Sequence, residues 1–201
     1  MDCDVLFQEV SLLEDNSPTS FVMSGYTTIE LKTNEKRNVN VNVIRKVAKV
    51  ELSGLEVDID IPQYSEKTFK ILSVYLINVS AQMPYFETTA PTLWYNKLGY
   101  DSENSNELIY DDMGGVVVSS ESPYTAKNTF YCYPNNTEND TFDTIWSPRR
   151  TRLVVEAMLG DKTYYYPVTL PTIAQNKIYK VFLTITRPGS ESPDSVVDKF
   201  T

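Results

Sequence analysis

Few residues in this chain have the chemistry of a catalytic site, and histidine is absent from all 201 positions. Because histidine is the commonest general base, proton shuttle and metal ligand, its absence argues against an enzyme. Asp111 and Asp112 form a carboxylate pair, but neighbours on a strand point to opposite faces, so a solvated turn explains them better. A serine triad cannot be built without histidine, and no S-x-x-K motif is present, so acyl transfer is not supported.

A second group of polar side chains offers the hard oxygen ligands that calcium prefers. Its members are Asn135, Glu138, Asp140 and Asp143. They lack the spacing and the glycine of a known calcium loop, so a solvated loop is the better interpretation. No metal or other cofactor is predicted.

Aromatic side chains offer a third chemistry, the stacking of sugar rings. The candidates are Trp94, Tyr95, Tyr131, Tyr133, Trp146, Tyr164, Tyr165 and Tyr166. Such rings combine apolar faces with polar tips, as a carbohydrate platform requires. In strands, however, they more often fill the core and pair with neighbouring strands. Exposure of Trp94 and of Tyr164 to Tyr166 would separate these two hypotheses.

The overall charge limits the partners. A net charge of −9 and a pI near 4.6 argue against nucleic acid and anionic membranes, which both attract basic surfaces. The one basic cluster, Arg149, Arg150 and Arg152, is interpreted as the solvated start of a strand. No apolar run is long enough for a membrane span, and the first ten residues lack the pattern of a signal peptide. Cys3 and Cys132 allow one disulfide without requiring it.

The segments that must position these residues have the pattern of short strands. Alternating apolar residues mark a strand from 179 to 185, and residues 68–80 are apolar on both faces, as in a central strand. Residues 38–52 place three valines on one face and then change phase near Ile44, which predicts a bulge or a bend. Residues 27–32 form one more candidate strand. Turn-rich segments lie between the strands, and no long helical pattern is evident, so we predict an all-β antiparallel sandwich.

The domain boundary is predicted near Lys36. Residues 1–36 are polar and mixed, and they end in a charged break, whereas residues 37–201 have the pattern of one continuous sandwich. We therefore expect an N-terminal extension, or the remnant of another domain, followed by one β-sandwich domain.

Four stretches, VIRKVAKVEL, TFYCYPN, KTYYYPVTLP and YKVFLTITRPGSESPD, occur in the order and with the spacing found in the fimbrillins. These are the major fimbrial subunits (type V pilins) of Bacteroidales. SFVMSGYTTIEL upstream resembles the Met-Ser-Gly segment of the same family. The resemblance runs from about Phe21 to the end and mainly covers the C-terminal domain of a fimbrillin.

The resemblance implies a transthyretin-like Greek-key sandwich in an exported lipoprotein that reaches the cell surface through the periplasm and outer membrane. It also implies polymerisation with other fimbrial subunits by donor-strand exchange, in support of adhesion to host or bacterial ligands and of biofilm formation. Most of an N-terminal fimbrillin domain, the last strand and the C-terminal strand that a fimbrillin inserts into its neighbour have no counterpart here. A fragment is therefore expected rather than a short relative. The alternative is a non-polymerising adhesin domain that binds carbohydrate or protein through exposed aromatic rings.

Several positions match the family motifs, and the resemblance implies structural roles for them: Arg45, Ala48, Lys49, Tyr131, Pro188 and Gly189. DTI at Asp143 and DSV at Asp194 also resemble the sites at which Bacteroidales attach O-glycans to exported proteins. Thr144 and Ser195 are therefore candidate glycosylation sites, on a pattern of only three residues.

Overall fold

The computed structural model describes residues 9–30, 32–86, 93–95, 107–141 and 148–193. The strands are β1 (Val10–Leu12), β2 (Met23–Ser24), β3 (Ile44–Arg45), β4 (Ala48–Val57), β5 (Phe69–Ile77), β6 (Val79–Ser80), β7 (Gln82–Pro84), β8 (Trp94–Tyr95), β9 (Tyr110–Val118), β10 (Asn128–Cys132), β11 (Arg152–Leu159), β12 (Lys162–Thr169) and β13 (Ile178–Ile185). A short 3-10 helix, Leu13–Asp15, is the one helix of the described residues, and it is too short to cross a membrane.

Two sheets form the body of the molecule. The larger sheet is antiparallel with the strand order β12-β11-β5-β9, and the smaller has the order β10-β4-β13. In the smaller sheet β10 runs antiparallel to β4, whereas β13 runs parallel to it. Shorter antiparallel pairs, β1-β7, β2-β3 and β6-β8, lie outside these sheets.

One hydrophobic core joins the two sheets. Alternate residues of the long strands point into it, as the two-residue period of a strand requires. They include Ala48, Val50, Leu52, Phe69, Ile71, Val74, Leu76, Phe130, Cys132, Leu153, Val155, Ala157, Leu159, Val181 and Ile185. Each large apolar side chain buried in this way stabilises the fold by about 1.5–3 kcal/mol. Burial also raises the pKa of the free Cys132 thiol to about 12.

The predicted all-β sandwich is confirmed, and most predicted strands are present. Residues 69–77 form a central strand between β11 and β9, which explains why they are apolar on both faces. The phase change predicted near Ile44 corresponds to a break between β3 and β4, after which alternate residues of β4 are buried.

Two predicted strands are absent. Residues 27–30 and 38–43 lie outside regular strands, and almost every residue from 26 to 45 that the structure describes is exposed. They form the two limbs of a hairpin that leaves the body between β2 and β3, so they have no sheet beside them to complete a ladder.

One segment predicted as turn belongs to a strand. Residues 110–118 form β9, at the edge of the larger sheet, and the register with β5 shifts around residues 113–115. Gly114 and Gly115 have φ values of 58° and 84°, so the glycines that signal a turn in the sequence produce a bulge within β9.

The N-terminal residues that the structure describes contact the sandwich. β1 pairs with β7, and Leu13 is buried in the common core. The Ser11 and Tyr133 hydroxyl groups lie 2.5 Å apart, and the Asn16 side-chain amide donates to the Tyr133 hydroxyl at 2.9 Å. The division of the chain near residue 36 stays a prediction.

Candidate assembly surface

The outer edge of β13 is the most distinctive surface of the smaller sheet. At the two ends of β13, the Lys49 N–H donates to the Lys177 carbonyl and the Asp58 N–H donates to the Ile185 carbonyl, each at 2.8 Å. Backbone groups alternate in direction along a strand, so the odd-numbered residues of β13 bond to β4. The even-numbered residues direct their N–H and C=O groups away from the sheet. In the described part of the chain, no strand pairs with this edge.

Apolar side chains accompany the open edge. Val181 and Ile185 are buried in the core at 8% and 3% exposure, whereas Ile178 and Phe182 on the opposite face are 63% and 74% exposed. Lys180 and Thr184 complete that outer face. Large exposed apolar side chains beside unpaired backbone groups are typical of a surface that receives another strand.

A cavity of about 250 Å³ lies next to the same edge. Phe182, Leu183, Gly54 and Tyr124 contribute to its lining. A side chain added at Gly54 would meet the Phe182 ring at 3.5 Å, so the ring lies directly over the glycine. Phe182 thus contacts β4 at Gly54 and remains 74% exposed beside the edge.

The equivalent edge of the larger sheet is covered by the chain itself. Tyr165 of β12 and Ser190 exchange two backbone hydrogen bonds of 2.9 Å each. A Cβ atom on Gly189 would overlap the Tyr165 carbonyl, so only glycine allows the chain to approach β12 this closely. The segment that follows β13 therefore pairs with the edge of β12 and leaves that of β13 open.

Four of the seven described aromatic candidates are buried and cannot form a binding platform. Trp94, Tyr133, Tyr164 and Tyr166 are buried. Three others take intermediate positions: Tyr95, Tyr131 and Tyr165. Trp146 lies outside the described residues. The hypothesis of a sugar-binding surface built from these rings is therefore wrong for the four buried rings, which fill the core and the strand interfaces, and it stays a prediction for the other members.

The acidic pair Asp111 and Asp112 lies on β9 and not in a solvated turn. Asp111 accepts a 2.6 Å hydrogen bond from the Asn128 side chain, and Asp112 accepts one of 2.9 Å from the Gly114 N–H. The two carboxylates therefore have separate structural partners, and nothing brings them together for acid and base catalysis.

The polar loop around Asn135 is tied to buried arginines. The Arg152 guanidinium pairs with Asp140, and Asp140 also accepts from the Arg150 N–H at 2.6 Å. Arg149 and Arg152 are buried, so the prediction of a solvated basic cluster is wrong for both. A buried guanidinium needs a carboxylate partner, which Asp140 provides.

The same contacts account for the candidate calcium ligands. The Asn135 side-chain amide donates 2.8 Å and 3.0 Å hydrogen bonds to the Arg149 carbonyl and the Thr151 hydroxyl. Asp143 lies outside the described residues. Within the described ranges, no group of three or more acidic, cysteine or histidine side chains is placed to hold a metal ion.

Two solved structures share this architecture. A candidate cell adhesion protein of Parabacteroides distasonis aligns with 91% of this chain at 16% identity, with a TM-score of 0.70. One from Bacteroides eggerthii aligns with 98% at 18% identity, with a TM-score of 0.64. The chain has the fold of these proteins. It spans 61% of the length of the first and 67% of the second.

A fimbrilin of Porphyromonas gingivalis also aligns, over 76% of this chain and 54% of its own length, at 18% identity. Its TM-score of 0.45 is too low to bear on the fold. Neither a protein-family model nor a curated protein matches the chain. The β-sandwich that the fimbrillin resemblance implied agrees with the fold shared with the adhesion proteins.

The family-motif positions near the start of β4 lie in one cluster. The Arg45 guanidinium lies 5.8 Å from the centre of the Phe21 ring, which is 4.6 Å from the Tyr131 ring. Tyr131 is opposite Lys49 in the ladder between β10 and β4, and Ala48 is buried. These contacts join the hairpin base to the smaller sheet, in keeping with structural roles.

Lys49 also forms an ion pair. Its ammonium group lies 2.8 Å from the Glu51 carboxylate, and Lys127 approaches the same carboxylate at 3.5 Å. Hydrogen bonds from Lys49 and Ser53 hold the pKa of Glu51 at about 2. The pair lies on β4, beside the strand that carries the open edge.

The remaining predicted sites have different outcomes. Pro188 and Gly189 form the connection from β13 to the edge of β12. The candidate glycosylation sites, Thr144 and Ser195, lie outside the described residues and stay predictions. Sequence reasoning missed Ile178 and Phe182, although both are apolar residues on the face of β13 that Lys180 and Thr184 mark as solvent-facing.

Proposed function

We propose that this chain is a structural subunit of a cell-surface fimbria, whose copies join when a strand of one subunit pairs with the open edge of β13 in the next. The observation that supports this proposal is the edge itself, a long strand with unpaired backbone groups and exposed Ile178 and Phe182. Strand addition would complete the ladder and cover both side chains.

The energetics favour a strand as the partner. An added strand forms several backbone hydrogen bonds, and each apolar side chain that it covers contributes up to about 1.5–3 kcal/mol. Lys180, between Ile178 and Phe182, is the single charged residue on the outer face of β13. The incoming strand must therefore be neutral or acidic opposite Lys180, which excludes a basic segment.

The shared fold supports a role at the cell surface, where the subunit would act in adhesion and in biofilm formation. The chain corresponds to 61% of the length of the adhesion protein from P. distasonis. In a subunit of that full length, the remaining residues would supply further contacts. We also propose the export route through the periplasm and outer membrane, the division into residues 1–36 and 37–201, and host or bacterial surface ligands as additional partners. Glycan mass on peptides containing Thr144 or Ser195 in native material would test the glycosylation hypothesis.

The adhesin hypothesis is less well supported. It requires a surface of exposed aromatic rings, and Trp94 and Tyr164, which it names, are buried. A structural role also needs no catalytic residue, in keeping with the separate partners of Asp111 and Asp112.

A proline at the open edge tests the proposal. The Thr184 N–H points away from β4, so Thr184→Pro removes an edge donor and leaves the ladder to β4 intact. We expect Thr184→Pro to remain folded and to lose self-association in sedimentation velocity and filaments in electron microscopy. Thr184→Val keeps the N–H and should associate like the unmodified chain. Equal association of all three proteins would overturn the proposal.

A further inference from the structure

The hairpin between β2 and β3 is an exposed arm, defined here as residues 25–30 and 32–43. Its base is fixed by the pairing of Met23 with Arg45, and a Cβ atom on Gly25 would overlap the Asn42 carbonyl, so the two limbs touch there. In the returning limb, Val39, Val41 and Val43 are 42%, 48% and 52% exposed. Three aligned and exposed valines are unusual for a surface that faces only water.

The returning limb has the composition of a strand. Residues 38–43, NVNVNV, are called the donor segment below. The segment has no charge, glycine or proline, and half of it is valine, which favours strands. In extended form the valines share one face and the asparagines the other. The donor segment therefore has the periodicity of a strand, and it pairs with no sheet formed by the described residues of its own molecule.

The open edge of β13 offers a matching surface. Ile178 and Phe182 are four residues apart on one face of β13, and Val39 and Val43 are four residues apart on one face of the donor segment. A donor segment paired with this edge can thus place its outer valines beside Ile178 and Phe182. The central position then lies opposite Lys180, where a basic residue would be unfavourable and the neutral Val41 occurs.

The donor segment does not pair with the edge of its own β13 in the structure. Ile44 is paired with Ser24 in the arm base, and the Lys46 N–H donates to the Val22 carbonyl at 3.0 Å. Beyond them the chain enters β4, which is separated from the open edge by β13. The paired base restrains the arm from folding back onto its own β13, which favours another molecule as the partner.

We propose that the donor segment of one copy pairs with the open edge of β13 in a second copy. The inference depends on the proposed assembly through that edge and names the strand that enters it. The arm and the edge are different surfaces of one molecule, so each copy donates to one neighbour and accepts from another. Contacts of this kind build an open chain unless the rotation between successive copies closes them into a ring.

Disulfide trapping tests the contact in the full chain. Val41→Cys and Lys180→Cys are made separately in a Cys3→Ser background and mixed under mild oxidation. We expect at least about tenfold more mixed dimer than from Val41→Cys with Thr129→Cys, which places the thiol on β10, the opposite edge of the same sheet. Equal yields would overturn the proposal, as would internal crosslinking of a dilute chain that carries both Val41→Cys and Lys180→Cys.

A matched pair of arm variants gives a second test. Threonine at residues 39, 41 and 43 keeps the β-branched shape but removes apolar surface, and threonine at residues 38, 40 and 42 changes the other face of the same segment. The valine variant should weaken self-association about tenfold, and the asparagine variant by less than about twofold. If the valine variant associates normally while Thr184→Pro does not, the donor is another segment and the proposed function stands. If neither the valine variant nor Thr184→Pro changes self-association, both proposals fail.

Discussion

β12 and β13 are edge strands of equal length on different sheets, and of these two only β12 is bridged at its outer edge by another described segment. At β12, Ser190 exchanges backbone hydrogen bonds with Tyr165, and Gly189 lies against the same residue. At β13, no described strand or bridge occupies the outer edge, and Phe182 is 74% exposed. The segment that leaves β13 crosses to the other sheet and pairs there.

This difference indicates where the molecule accepts a partner. Proteins usually protect edge strands with charges, prolines, bulges or a covering segment, because an open edge templates further pairing. β12 is covered by its own chain, whereas β13 has a single charged residue, Lys180, on its outer face. The contrast between a covered and an open edge is therefore a feature that mutation can test.

The largest effect is expected from a proline on the inner side of β13. Leu183 bonds to β4, so Leu183→Pro removes a ladder hydrogen bond and should lower the free energy of unfolding by about 3 kcal/mol. Thr184→Pro, one residue further on, should lower it by less than about 1 kcal/mol, because its N–H points away from the sheet. Urea unfolding of the two variants measures the difference. Equal losses would show that the outer edge of β13 is not free.

A smaller effect is expected where the chain covers β12. Gly189→Ala forces the Pro188 to Ser190 segment away from the Tyr165 carbonyl and should destabilise the fold by about 1–3 kcal/mol. Gly54→Ala is the matched control, since its new methyl group meets only ordinary contacts beside Phe182. Thermal unfolding compares them, and an unchanged midpoint for Gly189→Ala would contradict the close approach to β12.

The smallest effect concerns Glu51 on β4, the strand beside β13. Its folded-state pKa of about 2 is below the ordinary value of 4.5, so ionised Glu51 stabilises the fold above about pH 4.5. That stability is lost as pH falls from about 5 towards 2. Glu51→Gln should lower the free energy of unfolding at pH 7 by about 1 kcal/mol, because solvent screens part of the pair.

The pH profile provides the control for Glu51. Glu56→Gln changes an exposed carboxylate on the same strand, which takes part in none of the ion pairs between described residues. Unfolding measured from pH 7 to pH 3 should show a shallower pH dependence for Glu51→Gln than for Glu56→Gln. Identical profiles would mean that the contacts with Lys49 and Ser53 do not hold the carboxylate in its charged form.

Much of the sandwich could be predicted from local patterns. The alternation in β13 and the continuous apolar run of β5 identify a half-buried strand and a central strand, because side-chain direction repeats every two residues. β9 was missed, since its two glycines signal a turn, and only pairing with β5 turns that signal into a bulge. The valines of the donor segment have strand periodicity, but no local pattern can reveal that they lie outside a sheet.

The candidate site could be predicted only in part. The sequence indicated that a strand edge would pair with another subunit. Which edge stays open depends on the path of the chain after β13. Likewise, the arginine cluster is basic in sequence, yet Arg152 is buried because Asp140 lies beside it in the fold. The aromatic residues gave two hypotheses that burial alone separated.

The sequence by itself determined the all-β class, the positions of most long strands and the scarcity of side chains suited to catalysis, because these follow from residue type and spacing. Only the tertiary structure decided that β13 runs parallel to β4, that Ser190 covers β12 and that the arm and the β13 edge are both exposed. Periodicity sets which way a side chain points, whereas the neighbour that it meets depends on strand pairing between distant parts of the chain.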